Sequence, residues 1–315
     1  MPIPLLVVIE YPPASLARIE AAGFELHIAL TPSEQKKVME TVGADIRAVL
    51  TNGSTGFTAD DIAALPKLGI ICAQGAGYEK VDVAAARARG IVVTYGPGTN
   101  DASVADHAMA LLLAIARGIP QVDAAVRRGE WTKSRTPRPM ISGKKLGILG
   151  LGNIGQQIAQ RGALGFGMQV GYHNRRPRDD LPYLYCPTPA ALAQWADFMV
   201  IATPGGAESR SLVDAEVLDA LGTDGFLINI SRGSVVDTTA LIEVLQNQRI
   251  AGAALDVLDG EPNVPTDLAA LSNVILTPHI AGRSPEAVAA TLQLVIDNLL
   301  AHFAGRGVLT AVPAD

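Results

Sequence analysis

The stretch that decides the fold is residues 144–159, which read KKLGILGLGNIGQQIA. An apolar run over 146–149 predicts a buried strand, and the spacing Gly-x-Gly-x-x-Gly that follows leads directly into a predicted helix. Gly150 allows a sharp turn, Gly152 allows the backbone to approach a pyrophosphate, and Gly155 allows the helix to pack closely on the strand. Free N–H groups at the start of the helix favour anions. This combination predicts a dinucleotide site; a glycine-rich turn without a ligand is the alternative.

The residues that select the cofactor follow a second predicted strand at 168–172. An NAD site usually places Asp or Glu about 20 residues after the glycines, where it binds the ribose 2′-hydroxyl. This chain has Asn174, Arg175 and Arg176 there, and the aspartates at 179–180 come later. A carboxylate would repel a 2′-phosphate, whereas a guanidinium can bind it through two parallel hydrogen bonds. We therefore predict NADPH rather than NADH, with a solvated basic loop as the alternative.

Composition excludes several classes of function. A length of 315 residues is typical of about two domains. The net charge of −6 gives no reason to expect nucleic acid or an anionic membrane as a partner. Two cysteines, Cys72 and Cys186, are too few for a disulfide framework. The most apolar predicted helix, near 109–116, is shorter than the ~20 residues that a membrane span needs. We expect a cytoplasmic protein that binds no nucleic acid, no membrane and no metal.

Strands and helices alternate over the first 94 residues, a pattern that predicts a parallel α/β sheet. A break at 95–98, Tyr-Gly-Pro-Gly, indicates the first passage of the chain between two domains. Pro285 is expected to open a last helix that ends near Phe303, with its apolar positions Val288, Leu292, Val295, Leu299 and Leu300 on one face. The predicted strands are 5–9, 24–30, 46–50, 68–73, 91–94, 168–172, 198–203, 226–230, 251–255 and 274–277, and the predicted early helices are 13–22, 33–42 and 60–65.

Between the break and the glycine loop, the sequence predicts a long helix that Asn100 or Asp101 can cap. His107 lies on this helix, where a lone histidine is more often structural than a ligand. The basic, irregular stretch at 127–138 is either an exposed loop or an arm that reaches a partner subunit. Trp131 within this stretch favours some burial.

A second glycine-rich turn, at 74–78, follows the fourth predicted strand. Ligands of open α/β sheets bind beyond the carboxyl ends of the strands, and a turn of small residues can present bare N–H groups to an anion. A tight turn that needs glycine only for its conformation explains the same residues equally well.

Charged side chains follow three of the later strands. Arg232 follows the third strand from the end, Asp256 and Glu261 follow the next, and His279 follows the last. We expect these side chains to lie along the same edge as the glycine loop. Arginine can bind a substrate carboxylate, and histidine can donate or accept a proton near neutral pH. An arginine, a carboxylate and a histidine beside a nucleotide fold therefore predict a catalytic set.

Each member of this set has an alternative explanation. Arg232 could pair with Asp237, Glu261 could serve only in the turn before Pro262, and His279 could cap the last helix. The three residues together indicate catalysis more strongly than any of them does alone.

Over nearly its whole length, the chain resembles the D-isomer-specific 2-hydroxyacid dehydrogenases. Within that family it is most similar to the NADPH-linked glyoxylate/hydroxypyruvate reductases, through the His-Asn-Arg-Arg-Pro segment at 173–177. The segments that carry the family resemblance are 75–78, 81–82, 103–107, the glycine loop, 229–237, 255–262 and 278–282.

The resemblance implies an architecture of two Rossmann-like or flavodoxin-like α/β domains with parallel sheets and the active site in the cleft between them. It implies a discontinuous substrate-binding domain, 1–98 plus 286–315, and a dinucleotide-binding domain, 99–285. It also implies a homodimer built on the dinucleotide-binding domain.

The resemblance further implies a role for each matching residue. Arg232 would bind the substrate carboxylate and polarise the ketone, His279 would protonate the developing alkoxide, and Glu261 would hold His279. Amides of Ala76 and Gly77 would bind the other side of the carboxylate. The implied cofactor-binding residues are Val104, Gly150, Gly152, Asn153, Ile154, Gly155, Asn174, Arg175, Arg176, Thr203, Pro204, Ile230, Ser231, Arg232, Asp256, His279 and Gly282, with Asp256 near the nicotinamide amide.

The predicted function is that of an NAD(P)-dependent D-2-hydroxyacid dehydrogenase. With NADPH it would reduce a small 2-oxo acid, such as glyoxylate or hydroxypyruvate, to the D-2-hydroxy acid. One alternative is a reductase of bulkier 2-oxo acids such as hydroxyphenylpyruvate. Another is a non-catalytic protein that senses dinucleotides, although the intact set of Arg232, Glu261 and His279 argues against it.

Overall fold

The structure, a computed structural model, describes residues 2–313. It comprises two compact units. Unit 1 contains the described residues up to Asn100 together with those from Arg283 onward, and unit 2 is Asp101–Gly282. The chain therefore forms unit 2 without interruption and then returns to complete unit 1.

Helices and strands alternate along most of the chain. Unit 1 begins with β1 (Ile3–Val7), α1 (Pro13–Ala21), β2 (Phe24–Ile28), α2 (Pro32–Val42), β3 (Ala48–Asn52), α3 (Ala59–Ala63), β4 (Ile70–Gln74), α4 (Val83–Ala88) and β5 (Val92–Thr94). Unit 2 contains α5 (Asp101–Arg117), α6 (Ile119–Arg127), β6 (Lys145–Leu149), α7 (Asn153–Gln160), β7 (Gln169–His173), β8 (Leu184–Tyr185), α8 (Pro189–Trp195), β9 (Phe198–Ile201), α9 (Ala215–Leu221), β10 (Phe226–Asn229), α10 (Thr238–Gln246), β11 (Gly252–Leu255), α11 (Thr266–Ala269) and β12 (Val274–Leu276). The returning chain forms α12 (Pro285–Phe303).

Each unit is built on a parallel sheet. The strands of unit 1 have the order β2-β1-β3-β4-β5, which is the flavodoxin-like arrangement. Those of unit 2 have the order β12-β11-β10-β9-β6-β7-β8, the Rossmann arrangement with one further strand. The predicted fold class, two α/β domains with parallel sheets, is confirmed. Because the order reverses at β6, the glycine loop lies at the topological switch point, where open α/β sheets bind ligands.

The central strands of unit 2 are buried on both faces, as their continuous apolar runs require. In β9, Val200 packs toward α5 and α7, whereas Met199 and Ile201 pack toward α8, α9 and α10. This alternation follows from the period of two of an extended strand. Helices on both faces exclude water from the sheet and leave its carboxyl edge for the loops that follow the strands.

The last helix, α12, begins at Pro285 and ends at Phe303 as predicted. It packs into unit 1 through the buried side chains of Leu292, Val295 and Leu299. The prediction that Leu300 shares this face is wrong, because this side chain is 40% exposed. Successive helical residues are about 100° apart, so Leu300 turns away from the face that buries Leu299.

In the region before the glycine loop, Trp131 lies in the irregular segment after α6 and is 64% exposed on the single chain, so the burial that it favours is not found within this chain. The prediction about the helix cap in this region is wrong. Asn100 does not cap the long helix, because its Oδ1 atom is buried and has no hydrogen-bond partner among the described residues. Asp101 is the first residue of α5 rather than the residue before it.

Among the helices of residues 2–313, none is by itself long and apolar enough to cross a membrane; only α5 and α6 taken as one bent pair reach that length and composition.

Candidate active site

The glycine loop joins β6 to α7 at the switch point of unit 2. Gly150 has a φ of +100°, a backbone conformation that favours glycine, and a Cβ there would lie 2.6 Å from the backbone nitrogen of Thr203. A Cβ on Gly155 would collide with the carbonyl oxygen of Gly150, so only glycine lets α7 pack on the loop. A Cβ on Gly152 would meet no atom within 4 Å. The loop therefore leaves open space at the N-terminus of α7, as a bound pyrophosphate requires.

The first residue of α7 also contacts α5. The Asn153 side chain donates a hydrogen bond to the carboxylate of Asp101. Burial raises the pKa of Asp101 above its ordinary value, and the hydrogen bond from Asn153 offsets only part of that effect. The side chain of Asn153 is thus used within unit 2. The backbone N–H groups of Asn153 and Ile154 belong to the first turn, which has no acceptors inside its own helix.

The three residues predicted to bind the 2′-phosphate follow β7. Asn174 Oδ1 accepts a hydrogen bond of 2.7 Å from the amide of Leu151 and so supports the glycine loop. Arg175 and Arg176 are exposed, and Arg175 Nη1 donates to Glu208 Oε2 at 2.6 Å. Both guanidinium groups have the charge and exposure that an incoming phosphate needs, whereas the Asn174 side chain holds the loop beside them.

The turns after β9 and β10 are joined by side-chain hydrogen bonds. Ser231 Oγ donates to the carbonyl oxygen of Thr203 at 2.6 Å, and Ser231 N donates to Asn229 Oδ1 at 3.0 Å. The Asn229 amide group in turn donates to the carbonyl oxygen of Arg232 at 3.0 Å. Buried Asn229 therefore determines the backbone path that leads to Arg232. The other predicted cofactor-lining residues in these turns are Pro204 and Ile230.

Gly233 brings the Arg232 turn against the loop that follows β11. A Cβ on Gly233 would overlap the backbone of Leu258 and Asp259, so no other residue type allows this approach. The positive charge of Arg232 then acts on Glu261 and favours its ionised form. The sequence prediction that Arg232 and Glu261 meet at one edge of the sheet agrees with this geometry.

Glu261 holds His279 from one side. Glu261 Oε2 lies 2.8 Å from His279 Nδ1, and Oε1 accepts a 2.9 Å hydrogen bond from the amide of Leu258. Burial raises the pKa of the Glu261 carboxyl, but the hydrogen bonds from His279 and Leu258 and the charges of His279 and Arg232 lower it below its ordinary value overall. Because an ionised carboxylate only accepts hydrogen bonds, Nδ1 of His279 carries a proton. The Nε2 atom is then the position from which the ring can act on a substrate.

Asp256 is the most enclosed carboxylate of the predicted set, with a side-chain exposure of 1%. Burial alone would raise its pKa, but hydrogen bonds from His107, Thr277, Ile280 and Ala281 lower it to about 2. The carboxylate therefore remains ionised and holds the segment after β12. Its Oδ2 atom accepts a hydrogen bond of 2.9 Å from the amide of Ala281 and can accept a further hydrogen bond.

His107, which the sequence indicated as structural, contacts this carboxylate from α5. Sequence reasoning did not connect His107 with Asp256, and no local pattern could have done so because the two lie on distant segments. It also missed Asn229 and Gly233 as supports of the Arg232 turn. The signal for them was present, since a polar residue at a strand end and a glycine after an arginine both indicate a constrained turn.

In unit 1, the turn after β4 has the features of an anion-binding loop. Gly75 has a φ of +86°, and its carbonyl oxygen accepts a 2.6 Å hydrogen bond from the amide of Gly96. A Cβ on Gly53 would lie 2.6 Å from the carbonyl carbon of Gly77, so the turn packs closely on the loop after β3. Among residues 2–313, no acceptor is found for the amides of Ala76 and Gly77. These amides can therefore bind an anion.

The remaining predicted residues lie at the margins of unit 2. Val104 is buried in the core on α5, and Gly282 is the last residue of the unit. Asp237 caps α10 by accepting from the amide of Ala240, and Ser284, not His279, caps α12. No group of three or more His, Cys, Asp or Glu side chains in the described part of the chain is arranged to hold a metal ion.

Comparison with known proteins points to one family. The family model described as D-isomer specific 2-hydroxyacid dehydrogenase, NAD binding domain, matches residues 109–281. The chain is 38% identical to the 2-ketogluconate reductase of Gluconobacter oxydans over 95% of both chains. It is 42% identical to a glyoxylate/hydroxypyruvate reductase A of Arabidopsis thaliana over 90% of both.

A solved structure extends the similarity to the whole fold. It is the NADPH-dependent glyoxylate/hydroxypyruvate reductase of Sinorhizobium meliloti in complex with NADP and malonate. The comparison gives a TM-score of 0.88 at 38% identity and covers 99% of this chain and 97% of the other.

Proposed function

We propose that this chain, which belongs to the D-isomer-specific 2-hydroxyacid dehydrogenase family, uses NADPH to reduce small 2-oxo acids to D-2-hydroxy acids. Family membership makes it an enzyme that acts on small 2-oxo or 2-hydroxy acids with a nicotinamide dinucleotide. What we propose beyond family membership is that the cofactor is NADPH, that the substrate is a small 2-oxo acid, and that individual residues have the roles given below.

The contact between Glu261 Oε2 and His279 Nδ1, at 2.8 Å, carries the proposal. It directs Nδ1–H of the protonated ring to Glu261 and leaves Nε2–H to donate its proton to the oxygen of the substrate. Arg232 binds the substrate carboxylate and polarises its ketone, since a guanidinium can donate two parallel hydrogen bonds. Bound NADPH would supply the hydride. As negative charge develops on the ketone oxygen, His279 donates its Nε2 proton and becomes neutral, while its Nδ1–H remains hydrogen-bonded to Glu261.

Three observations support NADPH over NADH. Arg175 and Arg176 are exposed where an NAD site has a carboxylate. Of the nearby acids, Asp180 accepts two hydrogen bonds from Arg178, at 2.8 and 2.6 Å, and Glu208 is paired with Arg175 on the exposed surface, where an incoming phosphate can replace it. The similar enzyme of Sinorhizobium meliloti is described as NADPH-dependent. We therefore assign the 2′-phosphate to Arg175 and Arg176, with Asn174 as the residue that holds the adjacent loop.

For the substrate, we propose glyoxylate or hydroxypyruvate, because the Arabidopsis and Sinorhizobium relatives are named for these acids. The amides of Ala76 and Gly77 are proposed as further donors to the carboxylate. The Gluconobacter relative is named for 2-ketogluconate, a longer acid. A reductase of bulkier 2-oxo acids, hydroxyphenylpyruvate included, is therefore the second candidate. We also propose a homodimer built on unit 2, with substrate binding assigned to unit 1.

A matched set of assays tests the proposed function. Oxidation of NADPH and of NADH is followed with glyoxylate, hydroxypyruvate, 2-ketogluconate and hydroxyphenylpyruvate, and the product is analysed for chirality. We expect the highest kcat/KM with NADPH and one of the two small acids, and a D-product from hydroxypyruvate. A higher kcat/KM with either longer acid favours the second candidate. Equal use of both cofactors contradicts the 2′-phosphate assignment.

A further inference from the structure

A polar cluster lies next to the His279 segment, and two of its three members, His107 and Thr277, have no role in the function proposed above. We call it the His107 cluster; it comprises His107 of α5, Asp256 after β11 and Thr277 after β12. His107 Nε2 lies 3.2 Å from Thr277 Oγ1 and 3.4 Å from Asp256 Oδ1. Thr277 Oγ1 lies 2.6 Å from the same Asp256 oxygen. His107 is thus a helical side chain directed at a buried carboxylate.

The hydrogen atoms of the His107 cluster can be assigned from its chemistry. An ionised carboxylate only accepts hydrogen bonds, so the hydroxyl of Thr277 donates its single hydrogen to Asp256. The Thr277 oxygen is then an acceptor for His107 Nε2, which must carry a hydrogen atom. The contacts therefore form a directed chain of donors that runs from His107 through Thr277 to Asp256.

Asp256 also holds the backbone that carries His279. Its carboxylate accepts hydrogen bonds from the amides of Ile280 and Ala281 at 3.0 and 2.9 Å, and its carbonyl oxygen accepts from the amide of His279 at 2.8 Å. His279 has a φ of +55°, a left-handed conformation that a residue with a side chain adopts only where its surroundings determine it. The orientation of the Asp256 carboxylate therefore affects the position of the His279 ring.

We propose that His107 is a positioning residue for His279, and this inference rests on the proposed function. By donating to Thr277, whose hydroxyl donates to Asp256, His107 keeps the carboxylate oriented toward the two amides, and the amides keep the His279 ring on Glu261. Because this effect passes through Asp256, its loss slows the chemical step more than it weakens substrate binding. If His107 only filled space on α5, an apolar side chain of similar size would serve equally well.

Three single variants test this proposal. His107→Leu removes the donor, His107→Gln retains an N–H donor on a side chain of similar reach, and Thr277→Val removes the hydroxyl. Loss of one net hydrogen bond predicts kcat about tenfold lower in the Leu and Val variants, with KM for NADPH and the 2-oxo acid within about twofold. The Gln variant should recover kcat to within about threefold of wild type. His302→Leu, which changes a half-buried histidine of α12, is the control and should leave kcat unchanged.

A slower chemical step has a further signature. With NADPH deuterated at the transferred hydrogen, the isotope effect on kcat should increase in His107→Leu and Thr277→Val, because hydride transfer then limits turnover more fully. An activity loss caused only by partial unfolding leaves the isotope effect unchanged. Circular dichroism and thermal unfolding report the folded fraction of each variant.

A double-mutant cycle completes the test. Since His107 acts through Thr277, the double variant should lose no more kcat than the more impaired single variant, whereas independent defects would multiply to about a hundredfold. Multiplicative losses, an unimpaired His107→Leu enzyme, or equal impairment by Leu and Gln overturns the proposal. If His107→Leu does not fold, the test rests on His107→Gln and Thr277→Val. An active Gln variant and an impaired Val variant support the proposal, and equal impairment of these two variants overturns it. A wild-type chain that reduces no 2-oxo acid overturns the proposed function, and this inference with it.

Discussion

At the scale of single residues, the state of His279 follows from two neighbours that act on different parts of it. Glu261 accepts from Nδ1 and thereby fixes the orientation of the ring and the nitrogen that donates to this carboxylate. The carbonyl oxygen of Asp256 accepts from the backbone amide of His279 and supports its left-handed conformation. A histidine held by its ring and by its backbone loses little entropy on reaching the reactive geometry. The position of such a ring is therefore well defined before a substrate arrives.

Replacement of His279 tests whether this ring donates the proton. In His279→Gln, we expect kcat to fall by about 10²- to 10⁴-fold, the usual contribution of a positioned general acid. KM should change much less, because proton donation is an interaction of the transition state. Steady-state kinetics with NADPH and hydroxypyruvate measures both parameters. His27→Gln, on β2 of unit 1, is the matched control, and a kcat for His279→Gln within tenfold of wild type would refute the role.

The arginines after β7 make a second prediction at the residue scale. In Arg175→Ala combined with Arg176→Ala, the Kd of NADPH should rise by about tenfold or more, because charge-assisted hydrogen bonds to the 2′-phosphate are lost. The Kd of NADH should stay within about twofold, since its ribose carries no phosphate. Fluorescence titration of the reduced cofactors measures both values. Arg249→Ala removes an ion-paired arginine beside α10 and serves as control. Equal losses for the two cofactors would contradict the assignment.

At the scale of elements, the glycine loop and α12 could be predicted because their signals are local. Gly150 lies where the chain turns sharply, and Gly155 packs against the backbone of Gly150. The spacing of the glycines therefore reflects a steric requirement. Pro285 can open a helix because its missing N–H would have no partner there. The contact of His107 with Asp256 joins distant segments across the fold. Such a contact produces no periodic pattern in the sequence. For this reason the candidate site residues could be predicted more completely than the residues that hold them in place.

The prediction at this scale concerns Asp256, whose carboxylate holds the segment after β12. Asp256 has a pKa near 2 against an ordinary 3.8, so its ionised form stabilises the folded state by about 2 kcal/mol. A depressed pKa gives stability that is complete above 3.8 and is lost as pH falls toward 2. The unfolding free energy of wild type should therefore exceed that of Asp256→Asn by about 2 kcal/mol or more at pH 6, and the pH-dependent part of this difference should shrink below pH 4.

Urea unfolding of both proteins between pH 6 and pH 3 measures this difference. Asp224→Asn, which changes an exposed aspartate in the loop before β10, is the control and should lie within about 0.5 kcal/mol of wild type throughout. A difference between wild type and Asp256→Asn that stays constant with pH would show that the carboxylate does not provide this stability through its charge.

At the scale of the whole molecule, the order of the elements explains why unit 1 is discontinuous. Its sheet is complete before Asn100, yet Leu292, Val295 and Leu299 of α12 belong to the core around β1, β3 and β4. Unit 1 therefore exposes an apolar face until the end of the chain is available. Unit 2 has no such dependence, because its strands and the helices on both faces of its sheet come from one continuous segment.

Unit 2 nevertheless exposes a group of large apolar side chains around α6. No residue of α6 is buried, and its first and last turns expose Ile119 and Val126. Trp131 and Met140, in the irregular segment after the helix, are 64% and 61% exposed. The expectation of some burial for Trp131 used the usual preference of tryptophan, which does not distinguish the core of a chain from a contact between chains. A helix that leaves large apolar residues exposed on the single chain is typical of a subunit interface.

This surface gives the prediction for the whole molecule. If two copies of unit 2 pair through it, Val126→Asp combined with Trp131→Asp should convert a dimer into a monomer, because each carboxylate would have to be buried in the contact without a partner. Sedimentation velocity at micromolar concentration should give about twice the mass of a single chain for wild type and a single-chain mass for the double variant. Leu309→Asp adds the same charge at an exposed apolar residue of unit 1 and should leave the dimer intact. A wild-type monomer, or a dimer that survives both substitutions, would place the interface elsewhere or exclude it, and the exposed residues around α6 would then need another explanation.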